Sequence, residues 1–446
     1  MTFLILAQLD NCSPETKFFL LRFYMTNAYD LPDILKVDDV AKTLTINRSL
    51  TGKALQELTQ AGYLSVSAVS QTGKGRPKSL YDVTEKMSTM LEAANSKLAL
   101  HQDLIHDLIA PDKSSDSGER RHPLKAPSRL LLATLLALSD KKGVARDVRT
   151  SALAGYTGMG ADRIRNHVAK LHELGYIQSI VAGVSSSKLF GTVGSAYILN
   201  LKHERYRDLA RAGCLWLISL GDEEYRQLPF EAHRVIKLAR SAKGESLQSL
   251  GRTQRELEDL RVKLDPSSFH SIASLFHEKA LYRLAPRLQF ELEITASAIL
   301  SDLWEGLSSE APEVNEQAQE EYLGSAVAPE KLFKARETDR RSLLSLLYQV
   351  SWGMAKDRYE IIRKIVDMPG NYLLHHPPGT RTPMTGLYGS RHFAVEAIET
   401  SRKSSDIFIV TTNPSLPSST EFKKHNCEQL TNAFYNRFGL VGKSTC

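Results

Sequence analysis

Residues 58–64 read Leu-Thr-Gln-Ala-Gly-Tyr-Leu, and residues 171–177, which lie 113 positions further on, read Leu-His-Glu-Leu-Gly-Tyr-Ile. In both segments a glycine ends a helical pattern of apolar residues, and a strand-like run follows. One such match would carry little weight, because glycine is common just after a helix. Two matches with similar elements before and after them indicate an internal repeat, and this repeat determines the fold we expect.

The first copy of the repeat has the pattern of three helices followed by a β-hairpin. Ser13 is a suitable N-cap for the first helix, and Pro14 stands at its first position. Gly62 ends the third helix, and Tyr63–Ala68 and Leu80–Val83 alternate as two strands around a tight basic loop. The three helical patterns span residues 14–28, 36–44 and 47–61.

The basic loop and the strand after it carry a family resemblance. Residues 73–77 read Gly-Lys-Gly-Arg-Pro, and residues 81–86 read Tyr-Asp-Val-Thr-Glu-Lys. This run resembles the wing of bacterial winged-helix regulators, in which a GRP-type turn precedes a Tyr-x-Leu-Thr-type strand that leads into a helix. Val83 stands where leucine is commoner. The resemblance covers about residues 14–88 and implies a winged helix-turn-helix that binds DNA.

The second copy repeats the order of elements with less regular turns. Its helical patterns span residues 127–138, 150–156 and 160–174, and Gly175 ends the third. Ile177–Val184 and Ala196–Leu201 are the expected wing strands, around a tip rich in glycine and serine. Lys188 is the only charged residue in that tip, so we expect this wing to hold phosphate more weakly than the first.

A winged helix reads DNA with its third helix, which fits a major groove about 12 Å wide, while the wing lies along the backbone or minor groove. Gln56 and Asn166 are suited to adenine, and the cations are suited to guanine or phosphate. The alternative for each residue is an ordinary solvated helix face. The candidate DNA contacts in the first copy are Arg48, Ser49, Lys53 and Gln56 in its third helix and Lys74, Arg76 and Lys78 in its wing. Those in the second copy are Arg163, Arg165, Asn166 and Lys170 in its third helix and Lys188 in its wing.

The distribution of charge supports a nucleic-acid partner for the N-terminal half. The whole chain has 57 Lys and Arg against 51 Asp and Glu, a formal net charge of only +6. Residues 113–170 hold 12 basic and 5 acidic side chains, whereas residues 245–340 hold 11 basic and 18 acidic ones. The N-terminal half should therefore face DNA, and the middle of the chain should avoid polyanions.

The rest of the chain is expected to be mainly helical. Residues 85–109 continue as one amphipathic helix, which either joins two chains or packs on its own domain, and residues 111–121 form a polar linker that leaves the two copies some freedom. Residues 369–391 are expected to be a loop, residues 393–401 a helix, and residues 407–410 a short strand. Further helical patterns span residues 205–219, 229–243, 246–262, 267–284, 286–303 and 329–368, and residues 305–321 are acidic.

These patterns predict a mainly α fold with small β-wings, in which two winged-helix domains precede a largely helical C-terminal region. The predicted divisions are a first winged-helix domain with its C-terminal helix at 1–110, a polar linker at 111–125, a second winged-helix domain at 126–202, a helical region at 203–304, an acidic linker at 305–328, and a helical region with a short strand at 329–446.

Several other classes of protein are not expected. The four cysteines lie far apart, which favours a reducing compartment, and no stretch approaches the roughly 20 apolar residues of a membrane span, so we expect a cytoplasmic protein without a membrane partner. His375 and His376 are adjacent and point apart, so no metal site is expected. Residues 442–445 read Gly-Lys-Ser-Thr but lack the earlier glycine of a P-loop, so no nucleotide or other cofactor is expected. No catalytic motif keeps its spacing, which argues against an enzyme.

The sequence therefore predicts sequence-specific binding of double-stranded DNA, with transcriptional regulation as the leading role and a homo-oligomer through the helical segments as a further expectation. Two alternatives stay open. A plasmid- or phage-type replication initiator also uses tandem winged helices, and a winged helix can serve as a protein-interaction scaffold.

Overall fold

Helices dominate the chain, and small sheets accompany them, as the sequence predicts. The computed structural model describes residues 2–26, 36–69, 78–94, 100–111, 123–203, 206, 214–220, 231–242, 247–277, 281–308, 316–324, 327, 336–364, 370–375, 380–382, 386–388, 392–397, 406–413 and 416–425. The chain divides into two compact units. The N-terminal unit comprises Met1–Ile177 and Tyr197–Asn200, and the C-terminal unit comprises Gln178–Ala196 and Leu201–Cys446.

The first copy of the repeat follows a short N-terminal helix. β1 and β2 pair antiparallel, with Leu64 opposite Val83. In chain order the elements are α1 (Thr2–Leu6), α2 (Pro14–Thr26), α3 (Val37–Thr43), α4 (Arg48–Gln60), β1 (Leu64–Val69), β2 (Lys78–Val83), α5 (Glu85–Ala94) and α6 (Gln102–Ile109).

The second copy has the same order of helices, with a strand added after its first helix. β3, β7 and β4 form a sheet in that order, and β5 and β6 form a small antiparallel hairpin beyond it. The elements are α7 (Ala126–Leu138), β3 (Val144–Val148), α8 (Thr150–Thr157), α9 (Ala161–Glu173), β4 (Ile177–Val181), β5 (Val184–Ser186), β6 (Gly191–Val193) and β7 (Ser195–Leu199).

The repeated Leu-xxx-Gly-Tyr segment is a helix C-cap. The Tyr63 N–H donates to the Leu58 carbonyl at 2.9 Å, and the Gly62 N–H donates to the Thr59 carbonyl at 3.0 Å. These are the two hydrogen bonds of a Schellman motif, which needs a left-handed residue before the tyrosine, and Gly62 has φ +76°. Leu58 and Tyr63 are both buried, as the apolar contact of that motif requires.

The second copy makes the same cap 113 residues later. The Tyr176 N–H donates to the Leu171 carbonyl at 2.9 Å, the Gly175 N–H donates to the His172 carbonyl at 3.0 Å, and Gly175 has φ +81°. After each hairpin a side chain returns to the capping glycine. Thr84 Oγ1 donates to the Gly62 carbonyl, and Asn200 Nδ2 donates to the Gly175 carbonyl, both at 3.0 Å. The internal repeat in the sequence is thus a repeat in structure.

The two copies pack together inside the N-terminal unit, where α2 lies against α7. Arg22 of α2 and Arg129 of α7 are almost fully buried, and both donate to the Ala110 carbonyl, at 2.9 and 2.7 Å. Their guanidinium groups also lie 5.0 and 5.2 Å from the centre of the Phe18 ring. The expected freedom between the copies is therefore wrong, although residues 112–122 of the polar linker lie outside the described part of the chain.

The single amphipathic helix expected over residues 85–109 is also wrong. α5 ends at Ala94, and α6 begins at Gln102 after a turn that contains Leu100 and His101. His101 Nε2 lies 2.7 Å from the Asp140 carbonyl oxygen, which fixes this turn against the second copy. The apolar face of α6 is buried against α2 and α7, so it packs within its own unit.

The C-terminal unit combines helices with a five-stranded mixed sheet. The sheet order is β14-β13-β8-β12-β9, in which β13 runs parallel to β8 and the other pairs are antiparallel. Its helices are α10 (Glu231–Ser241), α11 (Leu247–Asp259), α12 (Pro266–Ala273), α13 (Leu281–Asp302), α14 (Glu316–Gln319) and α15 (Glu337–Ile362). Its strands are β8 (Cys214–Leu220), β9 (Tyr372–His375), β10 (Thr380–Thr382), β11 (Gly386–Tyr388), β12 (His392–Ala397), β13 (Asp406–Asn413) and β14 (Leu416–His425).

Helix α13 covers the edge strand of this sheet. The Tyr372 N–H donates to Ser301 Oγ and the Leu374 N–H donates to Ser297 Oγ, both at 3.0 Å. These bonds satisfy N–H groups that an edge strand would otherwise expose. Tyr372 also stacks on Trp304 with ring centres 5.1 Å apart, which adds an aromatic contact between the helix end and the strand.

Several expectations for the C-terminal half are corrected. The helix expected at 205–219 overlaps β8, which spans Cys214–Leu220, and the helix expected at 393–401 overlaps β12, which spans His392–Ala397. β8 pairs on both sides, so it is a continuous apolar run without the alternation that reveals a half-exposed strand. The expected loop at 369–391 contains β9, β10 and β11. In the expected acidic linker, Leu307, Gln319 and Leu323 are buried.

In the described part of the chain, no helix is both long and apolar enough to cross a membrane.

Candidate nucleic-acid interface

The third helices of the two copies expose the same positions. α4 and α9 have 13 residues each and begin 113 positions apart. Their inner stripes, Thr51, Leu55 and Leu58 in α4 and Ile164, Val168 and Leu171 in α9, are buried. The positions exposed in both helices are 48 and 161, 49 and 162, 53 and 166, 56 and 169, and 60 and 173.

On α4, the predicted contact residues lie on this exposed face. Arg48 Nε is 2.7 Å from Asp38 Oδ1, and Lys53 Nζ is 3.7 Å from Glu57 Oε1. Gln56 is exposed. The Ser49 N–H donates to Asn47 Oδ1 at 2.8 Å, so Ser49 helps to cap the helix through its backbone and keeps its side chain exposed.

On α9, the predicted residues are also at the surface, and two of them have acidic partners. Arg163 Nη2 is 2.5 Å from Glu15 Oε1, and Arg165 forms an ion pair with Asp162. Asn166 is exposed, and Lys170 is half-buried. Exposed ion pairs contribute about 0–1 kcal/mol, so a phosphate group could replace the carboxylate at little cost.

His167 lies between the cations of α9 and the first helix of its copy. Its Nδ1 atom is 2.9 Å from Ser128 Oγ. Burial, and then the positive charges of Arg163 and Lys170, lower the pKa of His167 below its usual value. A neutral imidazole therefore joins α9 to α7 at neutral pH.

The N-terminus of α2 connects the two third helices. The Glu57 carboxylate of α4 accepts hydrogen bonds from the Ser13 N–H at 2.8 Å and from Thr16 Oγ1 at 2.6 Å. Although burial raises the pKa of Glu57, the bonds from Thr16 and Ser13 hold it below its usual value. Arg163 of α9 reaches Glu15, which lies between those two residues. We call residues 13–16 the α2 junction.

The sequence identified only part of this junction. Ser13 was expected to cap α2, and the Thr16 N–H donates to Ser13 Oγ at 3.3 Å, which confirms it. The roles of Glu15 and Glu57 were missed, because their partners are 148 and 44 residues away and no local pattern marks them.

The turn between α8 and α9 packs on the segment before α2. Gly158 has φ +69°, and a Cβ added there would lie 2.5 Å from the Cys12 carbonyl oxygen. The turn between α8 and α9 of the second copy thus fits closely against the backbone just before α2.

The first predicted wing lies mostly outside the described residues, whereas the second is described. Lys74 and Arg76 belong to the part that is not described, and for Lys78, the first residue of β2, only the backbone is described. In the second, Lys188 Nζ donates to the Ser274 carbonyl at 2.8 Å. Leu189 and Phe190 beside it are buried in the core of the C-terminal unit. Their apolar character was the signal that this tip is not a free wing.

A second cluster of charged side chains lies in the C-terminal unit. Glu396 Oε1 is 3.2 Å from Lys202 Nζ, and Glu396 Oε2 is 3.0 Å from His375 Nε2. Burial raises the pKa of Glu396, but Lys202 and His375 outweigh it and lower this pKa to about 2. His375 is thus engaged with a carboxylate. The described residues contain no group of three or more His, Cys, Asp or Glu side chains that could hold a metal ion.

Comparison with models of known protein families finds no match to this chain, and comparison with curated proteins finds none either.

Proposed function

We propose that this protein binds double-stranded DNA sequence-specifically through two winged helices and acts as a transcriptional regulator. The observation that carries the proposal is the pair of third helices, α4 and α9, which expose polar faces at equivalent positions. Each is preceded by a short helix and followed by a strand that belongs to a hairpin or small sheet. This is the order of elements in a winged helix-turn-helix, whose third helix enters the major groove.

The side chains on these faces support the proposal. Gln56 and Asn166 can each make a bidentate contact to adenine, and Lys53 and Arg165 can reach guanine or phosphate. Asp38 beside Arg48 and Asp162 beside Arg165 are exposed, so phosphate can compete for these two cations. Residues 113–170, which include α9, hold 12 basic and 5 acidic side chains, a larger positive excess than the +6 of the whole chain.

The direct test uses the full chain and duplexes selected from a random-sequence pool, with binding measured by fluorescence anisotropy. We expect Asn166→Ala to relax the preference at one base pair by about 1–3 kcal/mol, because a bidentate amide contact is lost. Gln102→Ala, an exposed amide at the start of α6, is the matched control and should bind as the unmodified chain does. Failure to select any duplex would refute the proposal.

The replication initiator is the second candidate, because two reading helices held in one unit also suit a repeated origin sequence. Direct repeats among the selected duplexes would favour the initiator, and a site in the promoter of its own gene would favour the regulator. Absence of salt-dependent DNA binding, together with capture of a specific protein, would favour the interaction scaffold instead.

A further inference from the structure

We infer that one chain recognises a duplex with two unlike half-sites at one fixed spacing. This inference rests on the proposed function and goes beyond it by defining the class of DNA. It depends on two features of the N-terminal unit, which are the way its two copies are joined and the difference between their exposed faces.

The first step is the joint between the copies. Three carbonyls at the C-terminal end of α6 accept from two arginines, Arg22 of α2 and Arg129 of α7. These carbonyls have no partner within their own helix, and cations are favoured at this end of a helix. Both arginines are almost fully buried. Separation of the copies would break these hydrogen bonds and expose the apolar faces that α2, α6 and α7 bury against one another, which is costly.

The second step is the α2 junction. Ser13 and Thr16 donate to Glu57 of α4, and Glu15 accepts from Arg163 of α9. Both third helices therefore contact the same turn of α2. The close fit of Gly158 against Cys12 fixes the turn that precedes α9. The bonds from Ser13 and Thr16 to Glu57, this close fit and the buried arginines of α2 and α7 hold the two reading helices at one separation and one orientation, even if a phosphate displaces Glu15 from Arg163.

The third step is the chemistry of the two faces. At equivalent positions α4 carries Lys53 where α9 carries Asn166, and α4 carries Gln56 where α9 carries Ala169. A lysine only donates, whereas an asparagine side chain both donates and accepts, so the two helices prefer different base edges. Two identical half-sites would not satisfy both helices.

A fixed joint makes binding depend on spacing. When both half-sites are engaged, the second contact is intramolecular and can raise affinity roughly 100-fold or more, and this gain disappears if geometry forbids simultaneous contact. A duplex turns once in roughly 10–10.5 base pairs, so five added base pairs move the second half-site to the opposite side of the helix.

The experiment measures the affinity of the full chain for its selected duplex and for versions with one, two, five or ten base pairs inserted between the half-sites. We expect five added base pairs to weaken binding roughly 100-fold, to the affinity of a duplex with one half-site. Native mass spectrometry should find one chain per duplex. Lys53→Ala should relax the preference in one half-site only, and Asn166→Ala in the other only.

The possible outcomes separate the two proposals. Binding that does not change with the inserted length, or a palindromic duplex that holds two chains, would overturn the fixed-spacing inference and leave DNA binding intact. Selection of no duplex at any salt concentration would overturn the proposed function, and the inference with it.

Discussion

Alanine substitutions at three glycines of the N-terminal unit can separate the cost of backbone strain from the cost of a steric clash. Gly52 lies in α4 with open space at its Cβ position, Gly62 has φ +76° with open space, and Gly158 has φ +69° with the Cys12 carbonyl 2.5 Å from its Cβ position. We expect Gly52→Ala to stabilise by about 0.5–1 kcal/mol and Gly62→Ala to cost about 1–2 kcal/mol. Gly158→Ala should cost more than Gly62→Ala, because strain and a backbone clash add.

The free energy of unfolding of the N-terminal unit, measured by denaturant titration, checks this order. Equal costs for Gly62→Ala and Gly158→Ala would contradict the close packing of the turn between α8 and α9 on the backbone of Cys12.

Lys17 is a buried cation whose titration should affect stability. Its side chain is 2% exposed, and its ammonium group donates to the Ala7 carbonyl. Burial lowers the pKa of Lys17 from 10.5 to about 7. Because the folded-state pKa is the lower one, the unfolded chain binds the proton more tightly. The folded state is therefore favoured most above pH 10.5, where Lys17 is neutral in both states, and it loses stability as the pH falls to about 7.

Lys17→Met should remove that pH dependence and stabilise the N-terminal unit at pH 7, by about 1–5 kcal/mol. Thermal unfolding of both proteins between pH 7 and pH 10 measures the effect. An unchanged pH dependence in the variant would show that Lys17 is not the titrating group.

At the level of elements, the C-terminal end of α6 should show strong coupling between α2 and α7. Arg22→Leu and Arg129→Leu each leave buried carbonyls with fewer donors, so each should cost about 2–4 kcal/mol. The double variant should cost more than the sum, because either arginine alone still donates to the Ala110 carbonyl and only the double variant removes both of these donors. Arg48→Leu, at an exposed arginine, is the control and should change stability by about 0.5 kcal/mol or less. Additive losses in a double-mutant cycle would contradict the shared joint.

Features that depend on neighbouring residues could be predicted from the sequence, whereas contacts between distant residues could not. The Leu-xxx-Gly-Tyr segments were readable because a Schellman cap is local, with each partner within five residues of the other. β8 was missed because it pairs with β13, almost 200 residues later, and no local pattern reports such a pairing. In the candidate interface, the exposed faces of α4 and α9 followed from helical spacing. The bond between Arg163 and Glu15 did not, since it depends on how the two copies pack.

At the scale of the whole molecule, the tip of the second hairpin belongs to the C-terminal unit. Arg287 of α13 donates to the Gly194 carbonyl at 2.9 Å, and Phe190 is 2% exposed within the core. We expect Phe190→Ala to destabilise the C-terminal unit by about 3–5 kcal/mol, because it leaves a cavity. Hydrogen exchange should then rise in α13 and stay unchanged in α4. Faster exchange in α4 together with α13 would contradict this division of the chain.

The salt dependence of duplex binding by the full chain tests whether the N-terminal unit binds DNA. The logarithm of the association constant for the selected duplex should fall linearly with the logarithm of salt concentration, by about 0.9 per phosphate contact. Asn166→Ala should keep this slope while it loses preference at one base pair, because an asparagine side chain carries no charge to neutralise phosphate and its proposed partner is a base. An affinity that is independent of salt, or an Asn166→Ala variant with unchanged sequence preference, would contradict sequence-specific DNA binding through α9.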